Sequence, residues 1–125
     1  MKGNPDAEAV INNLAMLLVR PGADPARLAR ARDLVRRFEG SDQWVLLDTL
    51  GWVQLRNGEA EQALVTLEKA ASLIEPTPAE VRYHLGMAYV ALGRQDEAKT
   101  QLTRALETTD RFPGMDEARA TLETL

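Results

Sequence analysis

The sequence predicts an all-α protein, an α-α superhelix of stacked helix-turn-helix units, and three observations carry that reading. Leu50-Gly51 and Leu85-Gly86 stand 35 residues apart, and each glycine is followed seven residues later by another, Gly58 and Gly93. The neighbours repeat as well: Leu47, Ala63, Leu67 and Ala70 in one copy correspond in spacing to Arg82, Ala98, Leu102 and Ala105 in the next. A fixed period of this length marks stacked copies of one supersecondary unit. Between the repeats the chain is punctuated by helix-start and helix-stop signals, and no strand candidate is present.

Helices are expected over about residues 5–19, 25–38, 43–56, 60–74, 78–92 and 95–109. Asn4-Pro5, Asp24-Pro25 and Thr77-Pro78 each place a capping side chain before a proline, which fits the first helical turn because its missing N–H would have no partner there. Thr77 and Glu80 have capping-box spacing. Gly22, Asn57-Gly58 and Gly93 supply residues that tolerate the left-handed conformation in which helices stop. After the break Arg111-Phe112-Pro113-Gly114, Met115, Ala118, Leu122 and Leu125 recur at helical spacing, predicting a seventh, capping helix over 115–125. The chain thus divides as one domain, 1–125, with a divergent repeat at 5–41, further repeats at 42–76 and 77–110, and the cap. In the first repeat Leu14-Ala15, Gly22, Ala31 and Leu34 follow the template, but Arg27 stands where a small residue is needed, so Ala26 or Ala29 is expected to take that packing role.

The pattern resembles the tetratricopeptide repeat (TPR), a helix-turn-helix unit with a Leu-Gly pair, an aromatic three residues on and a later small residue in the second helix. Leu85-Gly86, Tyr89, Gly93 and Ala98 carry it best. The resemblance implies a non-catalytic module that binds a peptide segment or helix of a protein partner on the concave face lined by the first helix of each pair. A narrower likeness, in Leu47-Asp48-Thr49-Leu50-Gly51-Trp52-Val53 and Val81-Arg82-Tyr83-His84-Leu85-Gly86, is to the final repeats of bacterial TPR lipoproteins of envelope polysaccharide export. It would place the parent protein in the envelope; a complete chain of this sequence would be cytoplasmic.

Composition narrows the partners. A formal charge of −4 disfavours nucleic acid, whose binding depends on neutralising phosphates with basic side chains. Arg27, Arg30, Arg32, Arg36 and Arg37 crowd one helix, but Asp24, Asp33 and Glu39 interleave with them and favour a solvated face over an acidic-partner patch. The apolar run from Val10 to Val19 is interrupted by Asn12 and Asn13, so neither a signal peptide nor a spanning helix is expected. There is no cysteine, and none of the common hydrolase, P-loop, metalloprotease or dinucleotide motifs occurs. No catalytic residue, cofactor or metal is expected. The single histidine, His84, has three readings: a surface residue, a groove contact, or with Glu80 half of a metal site.

Helical periodicity selects the concave stripe: Asn12, Asn13, Met16 and Arg20 in the first copy, Val45, Asp48, Thr49, Trp52 and Arg56 in the second, and Glu80, Tyr83, His84, Met87 and Ala91 in the third. Met16, Trp52 and Met87 share one repeat position and form either an apolar row against a ligand, joined by Tyr83, or packing between adjacent first helices. TPR domains that clamp the C-terminal carboxylate of a chaperone peptide use lysines, an arginine and asparagines. Here the matching positions are Asn12, Met16, Thr49, Glu80 and His84, which lack the positive charge a carboxylate requires. The first repeat, having no cap before it, also offers an edge for a homo-oligomer.

Overall fold

The computed structural model describes residues 5–125, which form seven α-helices: α1 (Pro5–Leu18), α2 (Pro25–Val35), α3 (Trp44–Arg56), α4 (Ala60–Ser72), α5 (Ala79–Ala91), α6 (Gln95–Ala105) and α7 (Met115–Glu123). A single 3-10 turn, Arg36–Phe38, extends α2. Among the described residues there is no strand. The expected helices are present, with α4 and α6 ending two and four residues earlier than the periodicity suggests.

The turns inside the second and third helix pairs are copies of each other. Gly58 and Gly93 adopt φ of +83° and +75°. The Glu59 N–H donates to Gln54 O and the Arg94 N–H to Tyr89 O, each at 2.9 Å. The Gly58 and Gly93 amides bond one residue further along, to Leu55 O and Val90 O, completing a Schellman motif at each helix end. At the start of α2, Asp24 Oδ1 accepts the Arg27 amide at 2.8 Å, as its position before Pro25 predicts. The cap expected at Asn4 lies outside the described residues. The capping box at Thr77 does not form: α5 begins at Ala79, Pro78 is its cap residue with extended backbone, and no side chain caps it. Glu80 is instead turned toward the neighbouring first helices, within electrostatic reach of His84 and Asp48.

Each odd-numbered helix packs on the even one that follows it, α1 on α2, α3 on α4 and α5 on α6. The small residues make this possible. A Cβ at Gly51 would stand 2.6 Å from Leu67 Cδ2, and one at Gly86 2.6 Å from Leu102 Cδ2, so only glycine admits these leucines between the helices. In the first pair the register differs from expectation. Ala26 and Ala29 are exposed, while Ala31, Val35 and Phe38 are fully buried. Their spacing is that of Ala63, Leu67 and Ala70 and of Ala98, Leu102 and Ala105, all equally buried. The packing alanine of α2 is therefore Ala31, one helical turn beyond the place where a constant repeat length puts it, because the α1–α2 connection is longer than the others.

The odd helices also touch one another in series, α1 with α3, α3 with α5 and α5 with α7, whereas α2, α4 and α6 make no such contacts among themselves. A stack closed on one side and splayed on the other curves toward the closed side, so the odd helices line the concave face. Helix α3 sits in the middle of that row and is buried from Leu46 through Gln54 without interruption. A helix surrounded on all sides has no free polar face of its own. Helix α7 takes the place of a further odd helix against α5 and α6, burying Met115 and Ala118.

Candidate functional site

The concave face carries a cavity of about 160 Å³ where α1, α3 and α5 meet the segment leading into α7. Met16, Val19, Trp52, Tyr83 and His84 provide its floor, and Arg20, Arg56, Glu80 and Glu117 its charged surroundings. Below the floor lies a network between α3 and α5. The ring of His84 stacks on Trp52 with centroids 4.3 Å apart and planes at 22°. Its Nδ1 meets Asp48 Oδ1 at 2.7 Å, and both side chains are buried. Tyr83 fills the angle between Trp52 and His84, at 5.3 and 5.1 Å, and touches the Phe112 ring at 5.8 Å. Its hydroxyl donates to Glu117 Oε1, which ties α5 to α7.

The lead-in to α7 closes the far end of the site. Gly114 adopts φ of +93°, and a Cβ there would run into the Tyr83 ring, so glycine is required on both counts. Desolvation holds the Tyr83 hydroxyl far above its ordinary pKa, with Glu117 adding to the shift. Glu80 is also pushed up, chiefly by burial; His84 opposes the shift and Asp48 reinforces it. The Arg56 guanidinium lies over the Trp52 ring, 5.7 Å from its centroid.

Seven of the twelve candidate residues converge on this cavity: Met16, Arg20, Trp52, Arg56, Glu80, Tyr83 and His84. Asn12 and Asn13 line a separate, shallower depression of about 370 Å³ with Glu8, Ala9, Gln43, Val45 and Leu46. Asp48, Thr49 and Met87 reach neither. Asp48 and Thr49 are buried in the helix row, and Met87 is half-buried against the core. Trp52, Tyr83 and His84 are at most 8% exposed, so they form a floor and not a protruding row, and His84 is not a surface residue. The row Met16, Trp52, Met87 is interrupted: the first two meet at the cavity and the third packs elsewhere. Two candidates carry buried polar atoms that have no hydrogen-bond partner among the described residues, Asn12 Oδ1 and Arg56 Nε.

The sequence reading missed Val19, Pro21, Pro113 and Glu117, as well as Phe112 behind them. The available signal was Phe112-Pro113, an apolar pair within an otherwise polar connection. The arginines of α2 and the turn after it are mostly exposed; Arg36 pairs with Asp33 at 3.2 Å and Arg37 donates to the Leu34 carbonyl at 3.1 Å, while the less exposed Arg32 reaches Glu59 of the next pair at 2.7 Å. Among the described residues no three His, Asp or Glu side chains gather to hold a metal ion, and no helix is long and apolar enough to cross a membrane.

Successive helix pairs, the second and third closed by matching Schellman turns, with their first helices aligned along one curved face, define an α-helical repeat protein. The family model of the tetratricopeptide repeat matches residues 54–120, more than half of the sequence, and the chain belongs to that family. No curated protein matches the chain significantly. Repeats of this family generally mediate protein–protein interaction and are typically non-catalytic.

Proposed function

We propose that the chain is a non-catalytic interaction module that holds a peptide segment of a partner protein on its concave face, one apolar side chain entering the cavity beside Met16 and Trp52. The cavity itself carries the reading. A dry space of about 150 Å³ accommodates a benzene-sized group, so this one suits a single leucine or phenylalanine side chain and not a whole helix. An apolar floor within a charged rim fixes such a side chain while the rim reads its neighbours.

Arg20 and Arg56, with Glu80 and Glu117, ring the cavity and are placed to pair with polar groups of the segment on either side of the entering side chain. The narrower likeness to envelope export proteins gains no support from a family match confined to the repeat itself.

The test begins with peptides selected from a random display library on the immobilised chain. Met16→Trp, which fills the cavity, should weaken the selected peptides at least tenfold, and Val65→Ala on the exposed side of α4 should leave them unchanged. Equal affinity for wild type and Met16→Trp would remove the cavity from the account.

A further inference from the structure

Helix α1 presents an apolar stripe on the side turned away from the fold. Val10 and Leu17 are 66% and 56% exposed, and Leu14, half-buried, stands between them. These residues recur at i, i+4 and i+7, one face of a helix, while Ala15 and Val19 on the other side are buried in the core. The exposed Val65 of α4 is different. Its helical neighbours Glu61, Gln62, Glu68 and Lys69 are polar and exposed, which leaves it an isolated residue on a solvated face.

Charge is arranged along one edge of the α1 stripe, with Asp6 in the first turn, Asn13 midway and Arg20 just beyond the last turn. We propose that this face joins two copies of the chain, their α1 helices packed antiparallel about a twofold axis that passes between Asn13 and Leu14. That symmetry sets Val10 against the partner's Leu17 and brings Asp6 near the partner's Arg20, and each contact occurs twice. A parallel arrangement would place like charges together and align the helix dipoles, so the charge pattern selects the antiparallel one. Asp6 also interacts within its own chain, and an ionised carboxylate has acceptor sites for a second partner. The apolar part of the contact, Val10, Leu14 and Leu17, lies off the cavity floor, whereas Arg20 borders the cavity and Asn13 the neighbouring depression; sedimentation of the chain without peptide reads the contact separately from peptide binding.

Sedimentation of the chain from micromolar to millimolar concentration tests the proposal. A single helix pair is a small interface, so the expected result is a concentration-dependent rise from 13.8 kDa toward twice that mass. Val10→Ser with Leu17→Ser should abolish the rise. Asp6→Arg or Arg20→Asp alone creates two like-charge contacts and should weaken association about tenfold, while the two together restore it. Circular dichroism monitors helicity, and should the apolar variant lose it, the charge-exchange series still decides. A constant monomer mass would overturn the proposal, as would association that the charge exchange fails to restore.

Discussion

Replacing Gly86 with alanine sets two opposed effects against each other within one helix. Alanine is the better helix former, and in a helix interior the exchange is worth about 0.5–1 kcal/mol of stability. Against this, the added methyl would stand 2.6 Å from Leu102 Cδ2 and 2.7 Å from its Cγ. Leu102 is fully buried, and Cγ lies too close to its backbone to swing aside, so the strain passes to the α5–α6 contact. Overpacking of this kind costs about 1–3 kcal/mol. The net expectation is a loss of about 1 kcal/mol, or about 4 °C in Tm, read by urea and thermal unfolding. Leu102→Ala alone should cost about 2–5 kcal/mol. In the Gly86→Ala background it should cost at least about 1 kcal/mol less, because the new methyl occupies part of the void. Gly51→Ala should behave like Gly86→Ala, since it meets Leu67 at the same 2.6 Å. A Gly86→Ala protein stabilised by the full helix-propensity gain, and additive with Leu102→Ala, would refute the assigned packing.

Three further outcomes are expected. His84→Phe keeps a ring against Trp52 but strands the buried Asp48 carboxylate, and should lower unfolding stability by about 3 kcal/mol; an unchanged urea midpoint would show that the pair contributes nothing. Tyr83→Phe removes the hydrogen bond to Glu117 and should cost about 1–2 kcal/mol, with faster amide exchange in α7 but not in α2. Because burial raises the Glu80 pKa in the folded state, its protonated form favours folding; that stability is present below the ordinary carboxylate pKa and is lost as pH rises through the folded value. Glu80→Gln should accordingly be more stable than wild type at pH 7, with the difference vanishing in acid, as pH-dependent urea unfolding would reveal.

The second and third helix pairs are legible in the sequence because their geometry depends on residues that few others can replace. Gly58 and Gly93 need left-handed backbone, and Gly51 and Gly86 need the absence of a Cβ. The first pair is harder to read because its longer connection shifts Ala31, Val35 and Phe38 by a turn, and a template of constant length then points to Arg27, beside which Ala26 or Ala29 is the nearest small residue. The candidate site is half legible. Periodicity places Met16, Trp52, Arg56 and Glu80 on one face, but it treats each helix in isolation. Burial of Asp48, Thr49, Tyr83 and His84 comes from the flanking helices and from the lead-in to α7, contacts between segments that no single-helix period encodes. Thr77 illustrates the same limit at a helix end, since α5 starts one residue later than the capping pattern places it, with Pro78 as the cap residue.

The most direct test of the central claim, that the concave cavity is where a partner peptide is held, is to titrate a selected peptide into isotope-labelled protein and follow its amide and indole resonances. The account predicts that the Trp52 indole and the amides of Met16, Arg20, Arg56 and Glu80 shift together, with one saturation curve, while α4 and α6 remain unmoved. Shifts confined to the outer helices, with the cavity resonances unchanged at saturation, would contradict it.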